Sequence, residues 1–238
     1  MVKTFEKLLL NMAFADLFVA IASTVHLVSS KVTTNLEHTI LAVYLAILAF
    51  TTSIVCVFMI SFERFIAVKY PLKHLAWSTP KKMNTMIAIS WLSCFLFTMV
   101  LYLYNKETGF LVLDFKGFAT HYKLPIGIFN LLGCVLLIAV YSYIITATLQ
   151  KHNTMKLSNG ANDMALRAWQ AREKAVLVTC ALVVLSFVVC IIPFAIAAIA
   201  FNTYIGAFSL LLFVNSAFNP LVYFFRSYIE RYLRSRDT

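Results

Sequence analysis

The chain has 238 residues, of which 61% are hydrophobic and only 13% are charged. A soluble domain normally carries about 25% charged residues, so this composition argues strongly against a soluble protein. The formal net charge of +10 is compatible with a nucleic-acid partner, but its distribution around apolar runs indicates a membrane surface instead.

Apolar runs of roughly 20 residues, long enough to cross a bilayer, follow one another along the chain. They predict an all-α fold: a polytopic membrane helix bundle with six transmembrane helices and a short amphipathic helix, forming one membrane domain over residues 1–238. The predicted spans are residues 5–29, 36–68, 83–104, 122–149, 171–201 and 205–225, and the amphipathic, interfacial helix is 226–235. The intervening segments are predicted as loops, which are polar at 31–37, basic at 69–82, long and mixed in charge at 105–121, and polar at 150–170.

Lysine and arginine are distributed unequally between the two sides of this bundle. If the N-terminus is cytoplasmic, all but four of the 20 lysines and arginines lie on the cytoplasmic side. The four exceptions are Lys31, Lys106, Lys116 and Lys123. The positive-inside rule therefore predicts that both ends of this chain are cytoplasmic.

The first span carries a single acid, Asp16, near its middle. A carboxylate at mid-membrane is costly unless it has a partner, so Asp16 indicates a functional site. The alternative is a protonated, neutral side chain that is hydrogen-bonded to a neighbouring helix.

The second span has one face whose residues recur at steps of three and four. This face consists of Val43, Ala46, Phe50, Ser53, Val57, Ile60 and Arg64. A cation at the end of an apolar helix ordinarily reaches out to the membrane surface. Here Glu63 precedes Arg64, and an apolar turn at 66–68 follows before Pro71 ends the helix. This context predicts that Arg64 stays inside the bundle.

The later spans each carry an isolated feature. The third contains Trp91, which we interpret as a packing residue, and the fourth contains Tyr141. The fifth begins near Glu173 and contains Pro193, which removes a backbone hydrogen bond and predicts a kink. The sixth holds the sequence Asn-Ser-Ala-Phe-Asn-Pro-Leu-Val-Tyr at 215–223.

These features together resemble the rhodopsin-like (class A) G-protein-coupled receptors over essentially the whole chain. The Met-Ala-Phe-Ala-Asp-Leu sequence at 12–17 is similar to the family's second helix, and Glu63-Arg64-Phe65 resembles the end of its third. Trp91 and Tyr141 match single residues of the fourth and fifth helices. Phe187, Cys190 and Pro193 resemble the kinked sixth, and 215–223 resembles the seventh.

The chain also departs from the family pattern, so no subfamily is assigned. The family's first helix is missing, and we expect the chain to be a partial receptor. Phe65 replaces the usual Tyr, Thr39 stands where the family usually has an outer cysteine, Gly133 replaces a Pro, and Ile191 replaces a Trp.

The resemblance implies a cytoplasmic switch made of Glu63, Arg64, Phe65, Glu173, Tyr141 and Tyr223. In the resting state Arg64 would pair with Glu173, and outward motion of the kinked helix would break that pair. A surface pair of Glu173 with Arg172 or Lys174 is the alternative. The resemblance also implies a helix-kink and core switch at Ile54, Phe187, Cys190, Pro193, Asn219 and Pro220.

A sodium ion that acts as a negative modulator is implied at mid-membrane. Its oxygen ligands would come from Asp16, Ser53, Asn215, Ser216 and Asn219, a set that suits a hard cation. A hydrogen-bonded water network without an ion is the alternative. No other cofactor is expected, and the scattered histidines form no metal or catalytic cluster, so we do not expect an enzyme.

The implied function is ligand-activated signal transduction at the plasma membrane, with a heterotrimeric G protein as partner. The implied ligand pocket is apolar and comprises Val43, Ala46, Ile47, Phe50, Ile191, Phe194 and Phe213. An apolar small molecule, a lipid and a peptide all remain open as extracellular ligand, membrane lipid is a further partner, and nucleic acid is not expected. A six-span channel or transporter subunit is the alternative function.

Overall fold

A computed structural model of the chain describes residues 2–32, 36–107, 115–158 and 164–200, followed by residues 214–219, 221, 222, 225 and 228. Six helices are complete within these ranges: α1 (Val2–Val32), α2 (Leu36–Lys69), α3 (Pro71–Trp77), α4 (Pro80–Glu107), α5 (Phe115–Ser158) and α6 (Met164–Ala200). The described residues from 214 onward are helical as well. Most of the predicted sixth span and of the interfacial helix lies outside the described residues.

Five stretches in the described part of the chain are long and apolar enough to cross a membrane. They are Phe5–Val25, Ile40–Lys69, Pro80–Glu107, Gly127–Gln150 and Glu173–Pro193, with mean hydropathies between 1.9 and 3.1. No strand occurs among the described residues. The predicted helical membrane bundle is therefore confirmed.

Helix α2 lies at the centre of the bundle. It packs chiefly against α1, and it also contacts α4, α5 and α6. Of its membrane-length stretch 61% is buried, against 17% for α4. Because α4 buries so little, its apolar side chains face the surroundings of the bundle, as a lipid-facing helix requires. Those side chains include Ile89, Leu92, Leu96, Phe97, Val100 and Leu103.

Two kinds of contact hold the central helices together. Small residues line the seam between α1 and α2, where Ala22, Ala46 and Ala49 form a buried cluster with Val19. Small side chains let two membrane helices approach closely and so gain dispersion contacts. A larger cluster joins α1, α2, α5 and α6 and contains Phe5, Met12, Ile60, Leu137, Tyr141, Cys180, Val183 and Phe187.

The basic segment predicted as a loop at 69–82 contains a helix, so the loop prediction is wrong there. α3 begins with Pro71 at its first position, where the missing N–H and fixed φ of proline favour a helix. Seven residues are too few for a stable isolated helix. Tertiary contacts supply the stability: Trp77 packs edge-on against Phe62, with ring centroids 6.0 Å apart, and His74 is buried against α2.

Two other predicted loops are shorter than the sequence indicates. α5 begins at Phe115, inside the stretch 105–121, and it continues to Ser158. α6 begins at Met164, inside the stretch 150–170. Hydropathy marks where a helix leaves the apolar layer, whereas many of the polar residues beyond it, such as Lys and Gln, are themselves good helix formers.

Candidate functional site

A buried acid lies at the end of α2 and is shared by two basic side chains. Arg64 donates two hydrogen bonds to the Glu63 carboxylate, from Nε to Oε2 and from Nη2 to Oε1, the second 2.6 Å long. On the other side, His74 Nε2 lies 2.8 Å from Oε1. Because an ionised carboxylate only accepts hydrogen bonds, this contact places a proton on Nε2. His74 Nδ1 is buried and has no hydrogen-bond partner among the described residues.

The Arg64 side chain is directed into the bundle. It is only 14% exposed, and its Cζ atom lies 4.2 Å from the centroid of the Phe5 ring on α1. Phe5 itself is buried in the main cluster. The guanidinium is therefore held by a carboxylate on one side and by the face of an aromatic ring on the other, which is a favourable cation–π arrangement.

Two other residues expected in the cytoplasmic switch, Tyr141 and Phe65, lie near this group. Tyr141 on α5 is buried in the cluster that contains Phe5, and its hydroxyl makes no hydrogen bond to any described group. Glu173 begins the membrane-length stretch of α6 and is partly buried. Phe65 turns toward α5, where its ring centroid lies 5.5 Å from that of Tyr143. Tyr223 lies outside the described residues, and the Arg64–Glu173 pair stays a prediction.

A second polar group lies midway along the bundle, around Asp16 of α1. Ser53 Oγ donates to Asp16 Oδ1 at 2.6 Å, and Asn219 Nδ2 donates to Asp16 Oδ2 at 2.9 Å. All three side chains are buried. Ser186 Oγ on α6 lies 3.4 Å from Asn219 Oδ1, which extends the group to a further helix. The carboxylate of Asp16 thus connects three segments that are far apart in sequence.

Two more oxygens belong to the same segment as Asn219. Asn215 Oδ1 and Ser216 Oγ are buried and have no hydrogen-bond partner among the described residues. A buried polar atom without a partner is costly, so such atoms indicate a site for water or an ion. No group of three or more His, Cys, Asp or Glu residues capable of holding a metal ion occurs among the described residues. Any cation here would therefore depend on hydroxyl and amide oxygens beside one carboxylate.

Two residues of the implied core switch, Phe187 and Ile54, pack in the main cluster. Phe187 is buried in this cluster and Ile54 packs against the cluster. Cys190 is buried as well. Pro193 lies inside α6, which continues to Ala200. Pro220 lies outside the described residues, and Asn219 belongs to the group around Asp16.

Trp91 packs as predicted and makes a hydrogen bond in addition. Its ring centroid lies 5.8 Å from that of Phe14 and 6.2 Å from that of Phe18, both on α1. Its Nε1 donates to Asn11 Oδ1 at 2.9 Å, and Asn11 Nδ2 in turn donates to Cys56 Sγ at 3.0 Å. Trp91 therefore ties the peripheral α4 to α1 and α2.

The residues predicted to line a ligand pocket fall into three packing clusters. Val43 and Ile47 pack with residues of α4, and Ala46 packs with α1. Ile191 belongs to the main cluster, and Phe50 packs against that cluster. Phe213 and the side chain of Phe194 lie outside the described residues. Beside the first cluster, Asn105 Nδ2 donates to the Tyr44 hydroxyl at 2.9 Å.

Sequence reasoning missed His74 and Phe5, which both contact the Glu63–Arg64 pair. The sequence predicts a basic loop around His74, although Pro71, three residues earlier, is a helix-start signal that places His74 on one helix face with Trp77. No sequence signal marks Phe5, because a phenylalanine in an apolar span is ordinarily a packing residue.

The fold and these two polar groups define a multi-pass helical membrane protein with a buried acid–arginine pair at one end and a carboxylate group at its middle. The chain matches the family model described as 7 transmembrane receptor (rhodopsin family) over residues 1–223. The chain therefore belongs to the rhodopsin-like family of seven-transmembrane receptors. None of the curated proteins searched matches the chain.

Proposed function

We propose that this receptor transmits a ligand signal across the plasma membrane by releasing Arg64 from Glu63 and opening a G-protein site at that end of the bundle. The observation that carries the proposal is the paired and buried guanidinium at the end of α2. Receptors of this family generally couple to heterotrimeric G proteins. The proposed orientation, from the distribution of lysine and arginine, puts this end in the cytoplasm.

The first step of the mechanism is the loss of the inactive-state contacts of Arg64. A buried cation needs an anionic partner, so the pair with Glu63 holds the guanidinium in place. The nearby Tyr141 hydroxyl has no hydrogen-bond partner in the described structure. Once Arg64 leaves Glu63, that hydroxyl is available as an acceptor and reduces the cost of the displaced cation.

The second step is the movement of α6. Pro193 cannot donate a backbone hydrogen bond, which weakens the helix at that position and allows it to bend. Glu173 lies on the same helix, twenty residues earlier in the chain. Outward movement of this end of α6 would carry Glu173 away from α2, and the predicted pair with Arg64 would break at the same time. The result is a two-state element that both ligand and G protein can bias.

Glu173→Ala tests the part of this mechanism that concerns α6. If Glu173 restrains Arg64, basal nucleotide exchange on the G protein rises in Glu173→Ala and not in Lys174→Ala, which removes the neighbouring charge. If Glu173 only pairs at the surface, the two variants behave alike. Unchanged basal exchange in Glu173→Ala, at wild-type expression, contradicts the bridge.

The mid-membrane group fits a sodium ion, and we propose that it binds one. Asp16 supplies the negative charge, Ser53 lies against it at 2.6 Å, and Asn215 and Ser216 supply buried oxygens without partners. Oxygen ligands of this kind suit a hard cation. A bound ion would supply positive charge that stabilises the ionised carboxylate. These residues would then favour the inactive packing of α1, α2 and the last helix.

The receptor function itself is tested by nucleotide exchange. Cells expressing the chain with each class of G protein are assayed for exchange in the absence and presence of candidate ligands, with Arg64→Ala as the matched negative control. Exchange above the control supports the proposal. Ion conductance or substrate uptake by the reconstituted protein, without exchange, would contradict it.

A further inference from the structure

Lysines and aromatic rings cluster where α2 ends and α3 begins. Lys69 Nζ lies 5.2 Å from the centroid of the Phe65 ring, 5.4 Å from that of Tyr70 and 5.9 Å from that of Tyr143. Lys73 Nζ lies 5.3 Å from the centroid of the Tyr70 ring. We name Lys69, Lys73, Tyr70 and Tyr143 the Lys–Tyr cluster. It brings together side chains from α2, α3, the residue between them, and α5.

The Lys–Tyr cluster is accessible and ordered by its own contacts. Both lysines are exposed, and Tyr70 and Tyr143 are 40% and 42% exposed. Each ammonium group is held near at least one ring, so its side chain has already lost rotamer freedom. A ligand that binds between the two lysines therefore loses less free energy to ordering than it would with free side chains.

The positive charge of the cluster is not neutralised locally. The sequence from Arg64 to Lys106 contains no aspartate or glutamate. The acid immediately before this stretch, Glu63, is buried and already bonded to Arg64 and His74. Neither lysine has a carboxylate partner within the described part of the chain. The cluster therefore has two unpaired cations and two phenolic hydroxyls available for an anion.

The position of the cluster indicates what that anion is. Lys69 is the last residue of the membrane-length stretch of α2, and Pro80 is the first of the next stretch. The cluster thus lies at the level where the apolar layer meets water, a level at which tyrosine is favoured. Between the two lysines Leu72 is 84% exposed, which suits contact with the acyl-chain boundary. A lipid headgroup reaches this level from the bilayer itself.

We propose that the Lys–Tyr cluster binds the phosphate-bearing headgroup of an anionic membrane lipid. The two ammonium groups pair with phosphate oxygens, and the hydroxyls of Tyr70 and Tyr143 donate to the same oxygens. The proposal rests on the cytoplasmic placement of this end given above, because the cytoplasmic leaflet is the anionic one. Since Phe65 follows Arg64 directly, a bound headgroup would stabilise the α2–α5 contact beside the Glu63–Arg64 pair.

The test is lipid binding by the full chain in phosphatidylcholine nanodiscs. A fluorescent phosphatidylinositol bisphosphate is titrated, and binding to empty nanodiscs is subtracted. The variant Lys69→Gln/Lys73→Gln should bind roughly 30-fold more weakly, the loss expected for two lysines at an anionic lipid. The matched control Lys81→Gln/Lys82→Gln removes the same charge from exposed residues of α4. This control variant should bind the lipid only about threefold more weakly, because Lys81 and Lys82 attract it only through a general electrostatic field, which salt screens.

Further variants keep the test decisive if the double glutamine variant misfolds. Lys69→Arg/Lys73→Arg keeps both charges and should bind like the wild type. Tyr143→Phe keeps the ring but removes the hydroxyl, and it should bind roughly fivefold more weakly, the effect of one lost hydrogen bond. Helical content measured by circular dichroism identifies misfolded variants.

Three results would overturn the proposal. Equal losses in the two double glutamine variants would show a general positive field in place of a site. Equal binding of oleate, an anionic lipid without phosphate, at matched total charge would show that the phosphate headgroup is not recognised. Competition by soluble inositol phosphates at the affinity of the lipid would show a site for free phosphate compounds. The measurement uses no G protein, so it can succeed or fail independently of the proposed signalling function.

Discussion

Replacing Glu63 by glutamine tests whether this carboxylate holds the receptor in its inactive state. Glutamine keeps the length of the side chain and one acceptor oxygen, but it removes the charge. Arg64 then loses its ion pair, while the ring contact with Phe5 at 4.2 Å remains. In the proposed active state Arg64 has already left Glu63. The substitution therefore destabilises the inactive state more than the active one, and basal activity rises.

The size of the effect follows from the contacts of Arg64. Two hydrogen bonds join Arg64 to Glu63, and bonds to charged groups contribute about 1.5–3 kcal/mol each. Glutamine preserves one acceptor, so we expect a net loss of about 2–3 kcal/mol from the inactive state. A change of about 2.7 kcal/mol is a factor of 100 in an equilibrium constant. A receptor that is about 1% active at rest would then become about half active.

The assay is basal nucleotide exchange on a co-expressed G protein, normalised to receptor at the cell surface. Glu6→Gln is the matched control, because Glu6 is an exposed acid on α1. Glu63→Asp keeps the charge on a shorter side chain and should give an intermediate rise. If Glu63→Gln reaches the surface and its exchange equals that of wild type and of Glu6→Gln, the Glu63–Arg64 pair does not restrain the receptor.

Three further predictions concern other parts of the bundle. Sodium should lower agonist affinity in the wild type but not in Asp16→Asn, and a flat titration in the wild type would remove the ion from the mechanism. His74→Ala should lower basal exchange. It should also make the peptide bond after Lys73 more sensitive to trypsin, with cleavage after Lys81 and Lys82 as the internal reference. Unchanged cleavage after Lys73 would mean that His74 does not anchor α3. A Cβ atom at Gly133 would lie 3.1 Å from Phe58 Cζ. Gly133→Ala should therefore change the free energy of unfolding by less than about 1 kcal/mol, because better helix propensity offsets the tight contact. Gly133→Leu should lower it by about 1–3 kcal/mol, and thermal unfolding that ranks the two variants in the opposite order would contradict this packing.

The helices that cross the membrane could be predicted from the sequence, whereas for the short helix beside them the sequence signals only its start, at Pro71. A run of apolar residues has one stable solution in lipid, because every backbone polar group must be bonded within the helix. No such constraint acts on residues 69–82, which lie outside the apolar layer. There α3 depends on His74 reaching Glu63 and on Trp77 reaching Phe62. Both contacts are tertiary, so no local pattern specifies them.

The two polar groups also differ in how far their contacts can be predicted from the sequence. The contact of Asp16 with Ser53 and Asn219 is one that the family resemblance implies, and a mid-membrane carboxylate needs such partners. At the end of α2 several partners are available for Arg64. Adjacent residues on a helix ordinarily point in different directions, and the resemblance to the family implies the distant Glu173 as the partner of Arg64. In the structure Arg64 bends back to Glu63 because the Phe5 ring packs against its other side.

The shared carboxylate explains why His74 has the opposite effect from Glu63 on the proposed switch. Without His74, Glu63 would remain buried with no partner once Arg64 leaves, which is strongly unfavourable in a low-dielectric interior. His74 Nε2, at 2.8 Å, keeps a hydrogen bond on Oε1 after Arg64 has gone. This contact stabilises the carboxylate in the active state, where it has no other donor, more than in the inactive state, where Arg64 already satisfies it. Removing His74 therefore raises the free energy of the active state relative to the inactive state, whereas removing the charge of Glu63 lowers it. Opposite changes in basal exchange in the same assay are the expected signature of a carboxylate that bonds to both residues.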